Sequence, residues 1–239
     1  FMVEGMKARG IDMSRVWRVD SPRTGITVSL SEPTDRAMLT YAGTIALLRA
    51  EDVADDDLRA ARHVHVTTVF LQTGLLSGTA DLMRRAREQG CTTSLDTGWD
   101  PEERWNGHLQ RALQETDVLL PNEVEAPCIA GAETPEAAME ILAERIPMVV
   151  VKLGARGAIA AAGPTRAACP AYPVQPLDTT GAGDSFDAGF IYGYLNEWSL
   201  DRSLRLGCAC GALSTRAAGG TTSQPTLPEA LALMGEAGA

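Results

Sequence analysis

The chain has 239 residues, 45% of them hydrophobic and 22% charged, with 21 Lys and Arg against 31 Asp and Glu and a formal charge of −10. A domain of this size buries roughly 70% of its unfolded surface, which excludes disorder and collagen-like repeats, and the negative balance has the wrong sign for long-range attraction to nucleic acid or an anionic membrane. Five cysteines (Cys91, Cys128, Cys169, Cys208, Cys210) are odd in number and widely spread, there is no signal-peptide pattern and no apolar run nears about 18 residues, so a reduced, cytoplasmic protein is expected.

The first ten residues, Phe1 to Gly10, read as the second half of an amphipathic helix closed by glycine, so the chain is expected to start in mid-element. Val16 to Val19 and Thr24 to Ser31 read as extended, and the turn Glu32-Pro33-Thr34-Asp35 leads into Ala37 to Tyr41, a small antiparallel element. Val64, Val66, Thr68 and Phe70 alternate as one strand. Thr79 to Gln89 form a helix stopped by Gly90, and Thr92 to Leu95 the next strand. A helix at Gly107 to Glu115, a strand at Asp117 to Leu120, a helix at Pro135 to Arg145 and the apolar strand Met148 to Leu153 continue the alternation. The fold class is therefore α/β, a mostly parallel sheet with helices on both faces. Short extended segments run from Ala158 to Leu177, followed by a glycine turn and the helices Asp184 to Trp198, Asp201 to Ala217 and Pro228 to Glu236.

The sharpest local feature is Asp178-Thr179-Thr180-Gly181-Ala182-Gly183-Asp184. Two glycines allow a tight turn with its N–H groups directed inward, and the following helix adds the positive end of its dipole, so the turn suits an oxyanion. Asp184 beside that anion is either a helix cap or a carboxylate placed to take a proton. A Walker A loop is excluded, because the two lysines, Lys7 and Lys152, are followed by Ala8 and Leu153. The protein-kinase signatures are absent, and Gly181-x-Gly183-x-x-Phe186 lacks the third glycine of a dinucleotide fingerprint.

This stretch resembles the C-terminal signature of the PfkB, or ribokinase-like, carbohydrate kinase family. Pro121-Asn122-Glu123-Val124-Glu125 is similar to that family's Asn-x-x-Glu motif, Lys152-Leu153-Gly154-Ala155-Arg156-Gly157 to its glycine turn beside the nucleotide, and Ala212 to Arg216 with Gly219-Gly220 to its C-terminal nucleotide and cation loop. The resemblance implies a ribokinase-like fold with a small β lid, covering about 16–41, and ATP-dependent transfer to a sugar-type hydroxyl. It implies Asp184 as base, an anion hole from the N–H groups of Gly181, Ala182 and Gly183, and Mg2+ acted on through water by Asn122 and Glu125. Lys152, Gly154 and Gly157 would line the phosphate and adenine side. Asp178, Thr180, Arg216, Gly219 and Ser223 resemble positions that bind a monovalent cation such as K+, and the lid resembles one that pairs between subunits in a homodimer. Many members carry Asp-x-Asn-x-Arg where this chain has Asp96, Gly98 and Asp100, so the pattern names no particular sugar acid.

The resemblance also implies one kinase domain over 1–239 that lacks the family's N-terminal portion, with its first strand, half of the lid and the Asp that holds sugar hydroxyls. Besides a sugar kinase, two other readings are open at this level: a non-catalytic nucleotide-binding fragment, and a nicotinamide-dependent reductase using the glycine turn. His63 and His65, at i and i+2 of one strand, have a spacing that could hold a metal, but without a third ligand nearby they read as a strand-edge pair. The expected partners are ATP and a small sugar, with no nucleic acid and no membrane.

Overall fold

A computed structural model describes residues 2–31, 36–105 and 107–236. Residues 32–35, where a turn is expected, and Phe1 lie outside the described residues.

Helix α1 (Met2–Lys7) buries none of its residues. It leads through irregular chain, without the strand expected at Val16 to Val19, to the antiparallel pair β1 (Ile26–Ser31) and β2 (Arg36–Tyr41). Ile26 faces Tyr41 and Val28 faces Leu39, and all four side chains are exposed, while Thr27 and Thr40 share a hydrogen bond of 3.0 Å between their hydroxyls. One face of this two-stranded ribbon is thus apolar, and the alternation that sequence predicts is present.

Six strands form the main sheet: β3 (His63–Thr67), β4 (Thr92–Asp96), β5 (Val118–Leu119), β6 (Met148–Lys152), β7 (Ala158–Ala162) and β8 (Thr165–Cys169), in spatial order of sequence. β3 to β6 pair in parallel, and β7 and β8 add an antiparallel hairpin. The Val149-Val150-Val151 run of β6 is fully buried because the strand is covered on both sides. Val149 and Val151 join the core formed with α4 (Thr79–Glu88), α5 (Gly107–Gln114), α6 (Glu125–Ala130) and α7 (Pro135–Ala143). Val150 joins Val118, Leu120, Phe186, Phe190 and Leu204 in a second core under α8 (Ala182–Leu195) and α9 (Leu200–Ser214). Each fully buried valine contributes roughly 1.5–3 kcal/mol of transfer free energy. A third, smaller cluster joins α9 to α10 (Leu227–Leu233), and the short helices α2 (Asp55–Ala60) and α3 (Thr73–Leu76) flank the first core.

Several boundaries shift by up to three residues from the sequence reading, and two departures bear on the site. The strand expected to run through Thr68 and Phe70 stops at Thr67, because Thr68 takes a left-handed backbone with φ 54°. Helix α8 starts at Ala182, inside the glycine turn, so Asp184 is its third residue and lies where the orphan amides of a first turn concentrate. Among the described residues no helix is long and apolar enough to cross a membrane.

Candidate active site

Parallel sheets carry their sites at the C-terminal ends of the strands, and here those ends deliver Asp96 from β4, Asn122 just after β5 and Lys152 from β6. Lys152 Nζ donates to Asp96 Oδ2 at 2.8 Å and to both carboxyl oxygens of Asp187, on α8, at 3.1 Å. Burial opposes the charge on Lys152, but Asp187 and Asp96 outweigh it and raise its pKa. Burial pushes Asp187 well above the usual carboxylate range. It presses Asp96 the same way, but the ammonium of Lys152 and hydrogen bonds from Asp187, Lys152 and Gly98 hold Asp96 below that range.

Asn122 and Glu125 form a reciprocal helix cap. Asn122 Oδ1 accepts from the amides of Val124 and Glu125 at 2.8 and 2.9 Å, and Glu125 Oε2 accepts from the Asn122 amide at 2.9 Å. Glu125 is 4% exposed, and burial, reinforced by the Asp96 charge, pushes its carboxyl up to about 7. The Asn122 carbonyl is therefore occupied by backbone donors, and Glu125 Oε2 by the Asn122 amide. Among the described residues no group of three or more His, Cys, Asp and Glu forms a metal cluster.

At the turn, Gly181 has φ 75° and ψ 6°, and a Cβ there would stand 2.7 Å from the carbonyl oxygen of Gly220. The amide of Ala182 turns back onto the Thr179 carbonyl at 3.2 Å, so of the three amides proposed for the anion it is the one already engaged. A cavity of about 470 Å³ opens on one side of the turn, lined by Lys152, Gly154, Gly157, Tyr172, Val174, Pro176, Ala182, Gly183, Phe186 and Ala212 among others. Gly157 is indispensable to its shape: at φ 97° its Cβ would lie 2.0 Å from the Cys169 carbonyl oxygen. This wall is mostly apolar, with the turn at one end. Asp184 does not line the cavity and is exposed beyond the turn.

The loop after α9 closes against the same turn. Asp178 accepts from the amides of Thr180 and Gly219 at 2.9 and 2.8 Å, while Thr215 O accepts from Leu177 N and Asp178 N. The structure thus brings Asp178, Thr180 and Gly219 together. Arg216 donates from Nε to the Leu213 carbonyl, and Ser223 lies further along the loop.

On the β3 side, His63 Nδ1 and Nε2 lie 2.7 Å from the hydroxyls of Thr92 and Ser94, and His65 Nδ1 lies 2.7 Å from the Ser94 hydroxyl. Both ring nitrogens of His63 and Nδ1 of His65 are engaged in strand-to-strand hydrogen bonds, in accord with the strand-pair reading. Burial lowers His63 to about 4. Burial also lowers His65, helped by the Lys152 charge and opposed by Asp96 and Asp184.

Asp100, which occupies the family's arginine position, is 3% exposed and accepts from the amides of Glu102, Arg104 and Trp105 at 2.9, 2.9 and 2.8 Å. It fixes its own loop, where Glu103 and Trp105 have φ of 53° and 46°, and it seats Trp105 edge-on to Phe70 and Trp99. Asp100→Ala is expected to lower stability by about 2–3 kcal/mol, read by chemical denaturation, because three backbone donors lose a charged acceptor.

The profile of the pfkB family carbohydrate kinases matches residues 1–227. The chain belongs to the pfkB carbohydrate kinase family. An ATP-dependent ribose-1-phosphate kinase of Halopiger xanaduensis is 31% identical over 232 residues, 97% of this chain and 74% of the relative. An uncharacterized sugar kinase of Archaeoglobus fulgidus is 28% identical over 206 residues, covering 86% of this chain and 82% of that protein. Among solved structures, the apo form of a putative ribokinase II from E. coli superposes with a TM-score of 0.89 at 23% identity, covering 98% of this chain and 78% of that one. As a pfkB kinase the chain has the ribokinase-like α/β fold and is an ATP-dependent sugar kinase, a phosphotransferase acting on an alcohol group. The kinase assignment displaces the reductase reading of the glycine turn.

Sequence reasoning missed Asp187 and the pairing of Asp96 with Lys152. The signal was present: an acid set in the apolar helical run Phe186 to Phe190 needs a buried partner, and Lys152 is one of two lysines in the chain.

Proposed function

We propose that the whole chain acts as one kinase domain that transfers the γ-phosphoryl group of ATP to a sugar hydroxyl at the Gly181–Gly183 turn. The observation that carries this reading is the division of space by the turn: a largely apolar cavity on one side, an exposed carboxylate, Asp184, on the other. The adenine and ribose occupy the cavity beside Gly154 and Gly157, and the phosphates reach the first-turn amides of α8. Asp184 takes the proton from the acceptor hydroxyl, the oxygen attacks the γ-phosphorus, and the bond to the β-phosphate breaks to release ADP. Positioning and neutralisation of charge supply most of the rate in such transfers.

Mg2+ fits the donor set. The buried carboxyl group of Glu125 suits an ion that keeps several waters, and Asn122 holds it in place by capping. When bound, the ion neutralises charge on the transferred phosphoryl group. Asp178, Thr180, Arg216, Gly219 and Ser223 make up the K+ loop in this reading, supported by the closure of Asp178 onto Thr180 and Gly219. The exposed apolar face of Ile26, Val28, Leu39 and Tyr41 supports a homodimer paired through the lid.

The names of the relatives supply the acceptor panel: ribose, ribose 1-phosphate, fructose and the dehydro-deoxygluconates. ADP release with Mg-ATP and one of these acceptors is the expected result. ATP binding without turnover on the entire panel would replace this reading with that of a nucleotide-binding protein.

A further inference from the structure

Lys152 lines the cavity beside the turn, yet its ammonium is committed elsewhere. Nζ donates to Asp96 Oδ2 at 2.8 Å and to Asp187 Oδ1 and Oδ2 at 3.1 Å each. An ammonium has three N–H groups, so these three oxygens can engage all of them. The side chain of Asp187 is only 2% exposed, and those of Lys152 and Asp96 are 12% and 13% exposed. A phosphate that drew the ammonium away would strand a buried carboxylate without its cation, which is strongly destabilising.

The three residues belong to three elements. Asp96 ends β4, Lys152 ends β6, and Asp187 lies in α8 one helical turn beyond Gly183 and on the same face. Asp96 is anchored in its own loop as well, with Oδ1 accepting from the Gly98 amide at 3.1 Å. A Cβ built on Gly183 would stand 3.7 Å from Lys152 Nζ, so the ammonium packs against the turn while it joins helix to sheet.

We infer that Lys152 is a positioning residue and not a phosphate ligand: clamped between Asp96 and Asp187, its ammonium ties the ends of β4 and β6 to α8 and fixes where the first turn of that helix stands over the sheet. This role rests on the kinase reading of the turn. When the first-turn amides shift, a bound phosphate can shift with them, but transfer needs the reacting atoms close and in line. Lys152 therefore acts on kcat and not on ATP affinity.

Lys152→Met keeps the reach of the side chain without its charge. It is expected to lower kcat by about 10²-fold, while the ATP Kd from direct titration stays within about fivefold of the wild type. A larger loss of ATP affinity, or a kcat within about fivefold of the wild type, overturns the assignment. Because this variant leaves two acids facing each other, the same measurements are made with Asp187→Asn added. The double variant is expected to fold and to keep the kinetic loss, whereas recovery of kcat, or failure of both variants to fold, reduces Lys152 to a purely structural residue. Amide exchange in the ligand-free proteins supplies the second readout. Exchange at Ser185 to Asp187 is expected to quicken by about tenfold in the variants, with the wild-type rate kept near Phe190. Uniform acceleration along α8, as general destabilisation would give, or no acceleration, overturns the proposal. Failure of the wild type to turn over any acceptor counts against the kinase reading, while the exchange result stands apart from it.

Discussion

Asp184→Asn is expected to lower kcat by about 10²–10⁴-fold, the range associated with a lost general base, and to leave ATP affinity unchanged. The separation follows from geometry. The cavity proposed for the nucleotide is lined by Lys152, the turn, α8 and α9 and does not include Asp184, which is exposed. An amide in its place keeps the size of the side chain and the helix start but has little affinity for a proton. Steady-state kinetics with a turned-over acceptor and a direct ATP titration read the two halves separately. Turnover within the wild-type range would remove Asp184 as base, and a parallel loss of ATP affinity would place the residue on the nucleotide.

Gly181→Ala should damage both stability and turnover. The left-handed backbone at Gly181 costs a residue with a Cβ about 1–3 kcal/mol, and the added carbon would press on the Gly220 carbonyl at 2.7 Å and its Cα at 3.1 Å. The loop after α9 would have to move, and with it the Gly219 amide that Asp178 holds. A displacement of the first-turn amides by as little as 1 Å is enough for a drop of about 10²-fold in kcat. The expected record is a lowered unfolding midpoint together with that kinetic loss. A variant with full activity and stability would show that the turn absorbs the added carbon without moving its first-turn amides.

The fold was legible wherever burial imposes a period. The valine run of β6 announces a strand covered on both faces, and the α4 pattern of Leu82, Met83 and Ala86, closed near Gly90, announces a helix on the sheet. It was less legible where local geometry decides. Nothing in the alternation of Val64 to Phe70 reveals that Thr68 turns left-handed and ends β3. The β7–β8 hairpin, built largely of alanine, carries little strand propensity and reads only as extended chain until pairing with β6 fixes it. The same division runs through the site. The turn, the Asn122 and Glu125 motif and the 154–157 glycines are local patterns and could be found in sequence. The ion group of Asp96, Lys152 and Asp187 joins residues 56 and 35 positions apart, and no local pattern can place them together. Asp100 is a further case: sequence shows only that it departs from the family's arginine, and its role in fixing its own loop through three backbone amides emerges from the structure.

Helix α8 is anchored unevenly along its length. Phe190 is fully enclosed against Leu204 and Val150, whereas the first turn has half-buried glycines and an exposed acid. Such a helix opens from one end: amide exchange should be slow near Phe190 and fast in the first turn, with nucleotide slowing the fast end alone. The firmly held remainder then acts as a fixed post, so that in the proposed reading the phosphate site is ordered by stilling a single turn without rearranging the sheet behind it.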